Sequence, residues 1–162
     1  MPGFEGPPTP TTLGPFARLA RRLRSRRLVV QDRSMEPAFR PGDRLLLDPT
    51  AYRSTEPAYG DVVVVEDPFD MERYLLKRIA GLPGDYIRVT GQGTERRAGP
   101  ADPGTSPSGA LEEFHVPPSQ YFVLSDRTYR TRDSRQFGPV ARQRVLGRVW
   151  RRTFPPDRAG DV

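Results

Sequence analysis

Residues 61–85, DVVVVEDPFDMERYLLKRIAGLPGD, decide the fold. Four consecutive valines are stiff at χ1 and suit a pleated surface, and so short an apolar run suits a strand that buries one or both faces. EDPFD then supplies turn residues, YLLKRI resumes the strand, and LPGD closes it with a Pro-Gly pair. The unit therefore reads strand, turn, strand, turn. Working outward, the same short bursts recur as RLVVQ (27–31), DRLLLD (43–48), EEFHVP (112–117), QYFVLSD (120–126) and RVLGRVWRR (144–152). RPGD (40–43) and AYGD (58–61) mark further tight turns. The pattern predicts an all-β domain.

The rest of the chain is appended to that domain. Residues 1–13 are rich in Pro, Gly and Thr and predict no packed structure. Residues 14–27, GPFARLARRLRSRR, place Phe16, Leu19, Ala20 and Leu23 at helical spacing, with Arg18, Arg21, Arg22 and Arg24 around them. This predicts a short basic amphipathic helix that could lie on an anionic bilayer surface, or dock on its own domain. The domain proper spans 28–154. Residues 91–110, almost devoid of large apolar side chains, predict a flexible insertion. Residues 155–162 predict a disordered tail.

Composition narrows the chemistry. The chain has 162 residues, a net charge of +6, no cysteine and a single histidine. Disulfides, thiolate catalysis and cysteine or multi-histidine metal sites are excluded. No apolar run reaches the ~18 residues of a membrane span, and no apolar segment of signal-peptide type stands at the N-terminus. The positive charge lacks the aromatic-interleaved pattern of an RNA-binding module, so nucleic acid is not an expected partner.

Ser34 lies between two turn-forming stretches in QDRSMEPAFRPGD (31–43), where a serine is ordinarily a turn residue. To act as a nucleophile it would need a base. His115, in EFHVP beyond the insertion, has no evident partner. Lys77 is the better candidate. Strand alternation puts it on the face of Leu75, and an amine facing a core loses solvation, which lowers its pKa toward the range of a general base. The alternative is that Lys77 snorkels to solvent.

Three blocks in order, SMEPAFRPGD, LLKRIAGLPGD and LSDRTYRTRDSRQFGPV, resemble the bacterial type I signal peptidases, membrane-associated Ser/Lys endopeptidases. The resemblance implies a coiled, barrel-like all-β fold and no cofactor. It implies Ser34 as nucleophile, Lys77 as general base and Thr131 as the hydroxyl that orients the lysine. Asp133 and Arg135 would form a structural ion pair, and Met35 would pack beside the nucleophile. Val30 and Leu76 would line shallow pockets for small side chains, as in Ala-x-Ala. The partner would be an exported preprotein or proprotein. A soluble maturation protease that trims one proprotein, as among the small anchorless members of the family, fits equally. A catalytically inactive relative that binds extended peptides is the alternative of another class. The location implied is peripheral membrane, on either face, or cytoplasmic.

The chain departs from the family pattern at four places. Asp32 replaces the usual Gly or Ser in the oxyanion region formed with the Ser34 N–H, where a carboxylate cannot donate and would repel developing charge. Two escapes are open to it: protonation, or turning aside to pair with Arg33 or Arg135. Ala38 replaces a threonine, and Ser125 replaces a glycine that would allow a tight backbone conformation. The N-terminal transmembrane anchor is replaced by the arginine-rich segment.

Overall fold

The computed structural model of the chain describes residues 24–91, 93–99 and 110–162. Among the described residues, eleven strands run in chain order: β1 (Arg26–Val29), β2 (Arg44–Asp48), β3 (Val62–Asp67), β4 (Asp70–Gly81), β5 (Asp85–Thr90), β6 (Gly93–Ala98), β7 (Ala110–His115), β8 (Gln120–Leu124), β9 (Val140–Ala141), β10 (Val145–Phe154) and β11 (Gly160–Asp161). One helical turn, α1 (Ser134–Phe137), lies between β8 and β9. The main antiparallel sheet has the order β1-β2-β10-β3-β4-β8-β9, with β11 added to β10, and β6-β5-β7 forms a second sheet. Register shifts along β10 and β4 coil the main sheet into a barrel-like wrap.

The valine run is buried on alternating sides. Val63 and Val65 join Leu75, Ile79, Tyr121, Val123, Val140 and Val145 in one cluster. Val62 and Val64 turn the other way, against Val30, Met35, Phe39, Leu45, Leu47 and Val149. A strand with a core on each side needs a continuous apolar run rather than an alternating one, and each such valine or leucine contributes about 2 kcal/mol on burial.

Three turns share one construction. In Arg40–Asp43, Ala58–Asp61 and Leu82–Asp85 the third residue is a glycine with φ of 92°, 88° and 88°. In each, the closing aspartate accepts from the N–H three residues back, at 3.1, 3.0 and 2.6 Å. Each carboxylate is buried and meets an arginine from another segment. Asp43 meets Arg152 and Arg158, Asp61 meets Arg148, and Asp85 meets Arg96. The Gly-Asp pairs in the sequence thus mark both the turn and a cross-link.

Four expectations change. Arg26 and Arg27 belong to β1, so the basic helix cannot extend to residue 27 and the domain begins before 28; residues 14–23 lie outside the described residues. Within 91–110, Gly93–Ala98 is a strand in full register with β5, because Arg96 reaches Asp85 and Arg97 lies over the Tyr86 ring. The apolar pattern carried no sign of that strand; its side chains are held by charge. The tail at 155–162 is ordered: Pro156–Arg158 form a 3-10 turn, β11 pairs with β10, and Val162 donates to the Trp150 carbonyl. Finally, Ser125 stands in an ordinary conformation, since among the described non-glycine residues only Ser119 and Arg130 have positive φ.

Candidate active site

Ser34 sits in the connection between β1 and β2. Val30 fixes the start of that connection, donating to the Asp43 carbonyl and accepting from Gly42 N–H. Beyond Ser34 the chain makes a helical turn, with Phe39 N–H donating to the Met35 carbonyl at 2.8 Å. Met35 and Phe39 are driven into the core, 1 % and 3 % exposed, and this leaves Ser34 on the opposite, half-buried side of the turn. The Ser34 carbonyl is held by Arg127 N–H at 2.9 Å.

β4 delivers Lys77 to the same place. Its side chain is 1 % exposed, so it does not snorkel. Lys77 Nζ lies 3.2 Å from Ser34 Oγ and 2.9 Å from the Leu76 carbonyl. Burial lowers the amine below its ordinary pKa. The carboxylates of Asp32, Asp133 and Asp126 act against that shift, and Arg73 adds to it.

Asp133 caps α1 and is fully buried. It accepts from Ser125 N–H at 3.0 Å and from Arg135 Nη2 at 2.7 Å, and the same carboxylate receives Arg135 Nε at 2.9 Å. Burial alone would raise its pKa; the Arg135 and Ser125 hydrogen bonds outweigh that and hold it below the usual carboxylate range. Thr131 serves this pair instead of Lys77. Its hydroxyl faces the Arg127 carbonyl at 3.2 Å and accepts from Arg135 Nη2 at 3.1 Å.

Asp32 takes neither expected escape. Arg33 lies 3.8 Å from Glu36, and Arg135 is committed to Asp133. Asp32 Oδ1 instead accepts from Ser34 N–H at 2.8 Å. Burial pushes the Asp32 carboxyl up, but the Ser34 hydrogen bonds and the charges of Lys77 and Arg73 outweigh it, so the group is held low and ionised.

One pair escaped the sequence reading. Arg78 makes two 2.8 Å hydrogen bonds to Asp126 and a third bond to the Gly60 carbonyl. It ties the lysine strand to the loop whose Arg127 N–H grips Ser34. The adjacent Lys-Arg and the later Ser-Asp-Arg were the available signals, but no local pattern links residues 48 positions apart.

A groove of about 780 Å³ has Val30, Asp32 and Met35 on one wall and Arg73, Tyr74 and Leu76 on the other, so that its lining includes the chain neighbours of Ser34 and Lys77. β1 is the end of the main sheet, and β8 meets β4 only from Arg78 onward. Among the described residues, both walls therefore present unpaired strand edges.

The chain matches the family described as signal peptidase, peptidase S26, over residues 12–154. It is 33 % identical over 135 residues to a probable signal peptidase I of Synechocystis, covering 78 % of this chain and 62 % of that one. It is 34 % identical over 123 residues to subunit 1b of a mitochondrial ATP-independent inner membrane protease of Arabidopsis thaliana, covering 75 % of this chain and 66 % of that one. A crystal structure of a signal peptidase I from Enterococcus faecalis covers 58 % of this chain and 97 % of that one, with a TM-score of 0.44 and 24 % identity. An all-β chain with a family match across most of its length falls among the peptidases. It belongs to the signal peptidase family, peptidase S26. The chain spans less than two thirds of the Synechocystis relative's length. Among the described residues no helix is long and apolar enough to cross a membrane.

Proposed function

We propose that the chain is a serine endopeptidase that cleaves exported preproteins or proproteins after small side chains, with Ser34 as nucleophile and Lys77 as general base. The observation that carries the reading is a buried amine 3.2 Å from a serine hydroxyl. An ordinary lysine is protonated at neutral pH and cannot accept the proton; desolvation removes that obstacle. Neutral Lys77 takes the Ser34 proton as Oγ bonds to the scissile carbonyl carbon. The C–N bond then breaks, and the departing amine receives the proton from Lys77. Water, activated by the same amine, hydrolyses the ester and frees Ser34.

The substrate lies extended between 28–32 and 74–77, adding a strand to both open edges. Val30, Met35 and Leu76 leave shallow apolar room that favours small side chains beside the scissile bond. Thr131 acts at one remove, by fixing Arg135 on Asp133, whose charge bears on Lys77. The arginine-rich segment ahead of β1 attaches the domain to an anionic membrane surface, which sedimentation with anionic vesicles, with and without residues 14–23, tests.

Cleavage of a fluorogenic Ala-x-Ala peptide tests the chemistry. Ser34→Ala and Lys77→Met each lower kcat by about 10³-fold or more. Because Lys77 must be neutral, kcat/KM rises with pH through a limb below the ordinary lysine pKa of about 10.4. Turnover that survives in Ser34→Ala rejects the proposal.

A further inference from the structure

With Ser34 as nucleophile, its N–H faces two incompatible demands. When a nucleophile attacks a carbonyl, the N–H of its own residue is well placed to stabilise the oxygen that becomes negative. Here that N–H already donates, at 2.8 Å, to a carboxylate oxygen of Asp32. The carboxylate is chemically close to the group it displaces, a negatively charged oxygen at hydrogen-bond distance from the same donor. Asp32 also lines the substrate groove, so its side chain lies in the path of an incoming peptide.

We infer that Asp32 occupies the oxyanion position of the resting site and selects substrates by how strongly they displace it. The inference rests on the assignment of Ser34 as nucleophile. A peptide must take the Ser34 N–H from Asp32 before its scissile carbonyl can be activated. The energy for that exchange comes from contacts remote from the scissile bond, the strand pairing and the apolar groove. A long extended substrate supplies such contacts and a short one does not. Asp32 therefore raises the discrimination between them, at the expense of rate on small peptides. The displaced carboxylate has a cation to receive it, since Arg73 lines the same groove and its charge already acts on Asp32.

The same carboxylate sets the basicity of the proposed base. Asp32, Asp133 and Asp126 favour protonated Lys77, and Arg73 opposes them. Removing the Asp32 charge makes Lys77 easier to deprotonate, so the acid limb of the rate profile moves to lower pH. A residue that merely shaped the turn would not move that limb.

The experiment compares the full-length protein with Asp32→Gly and Asp32→Asn on two fluorogenic peptides, a tetrapeptide and a decapeptide sharing one Ala-x-Ala site. In Asp32→Gly, kcat/KM on the tetrapeptide rises about tenfold or more, the decapeptide gains less, and the acid limb shifts down. Asp32→Asn keeps an acceptor for the Ser34 N–H but loses the charge. It therefore shifts the limb as the glycine variant does and recovers only part of the rate gain. The Ser34 amide proton, followed by NMR in the same proteins, moves upfield in Asp32→Gly as the carboxylate is lost. Ser34-dependent turnover with an unchanged length preference and an unmoved limb overturns the inference and leaves the Ser34–Lys77 assignment standing. Absence of Ser34-dependent turnover from all three proteins overturns both.

Discussion

On its face of β4, Lys77 stands between Leu75 and Ile79, both in the apolar core. The strand fixes its direction, and burial then fixes its chemistry by disfavouring the ammonium form. Asp133 is the opposite case. It is as deeply buried, yet its charge is kept because three hydrogen bonds from Arg135 and one from Ser125 replace water. Replacing it with Asn leaves Arg135 without its counter-charge. Asp133→Asn should therefore lower the unfolding free energy by about 3 kcal/mol at neutral pH, measured in urea. Because folding lowers the pKa of this carboxyl, its contribution is complete above the unfolded value of 3.8 and disappears as pH falls through the folded one. The gap between wild type and variant should therefore close only in acid below that value.

At the scale of elements, the C-terminal segment acts as a brace for the nucleophile turn. Arg152 donates to the Ala38 carbonyl and to the Arg158 carbonyl, both at 2.6 Å, and stacks over Phe39. Arg158 reaches the buried Asp43 that closes the next turn, Arg40–Asp43. The charges that make residues 155–162 look unstructured in the sequence are the groups that hold them in place. Arg152→Ala removes a partner of Asp43 and the grip on Ala38. It should cost about 2 kcal/mol of stability and lower kcat more than it raises KM, since the turn beside Ser34 loosens while the groove is untouched. Equal kcat in the variant would show that the brace matters for folding alone. Among the described elements, strands were legible where packing is apolar, as in 61–85. They were illegible at β6, where Arg96 and Arg97 take the place of a core.

At the scale of the whole molecule, among the described residues, the coiled sheet leaves two open edges along the groove, whose lining includes the chain neighbours of Ser34 and Lys77. Main-chain pairing across that gap predicts a specific sensitivity. N-methylating a substrate amide that points at 28–32 or 74–77 should reduce kcat/KM by about tenfold, the loss of one hydrogen bond, while an amide pointing to solvent tolerates the change. Steady-state kinetics on a scanned peptide series checks it. The sequence alone determined what depends on neighbours along the chain: the strand bursts, the Gly-Asp turns, the absence of thiol and multi-histidine chemistry, and the three blocks that place this chain among signal peptidases. Only the tertiary structure decided that Lys77 meets Ser34 and that Arg78 holds Asp126. Each charged side chain has several partners within reach of its type, and which one it takes is a matter of distances between segments. Lys77 lies beside the Ser34 hydroxyl, 43 residues away, and Arg78 took Asp126, 48 residues away. Asp32 and Thr131 instead met partners two and four residues on, which the local course of the chain brings near. Local propensity favours neither long-range choice; the packing of β4 against the segments of Ser34 and Asp126 makes them.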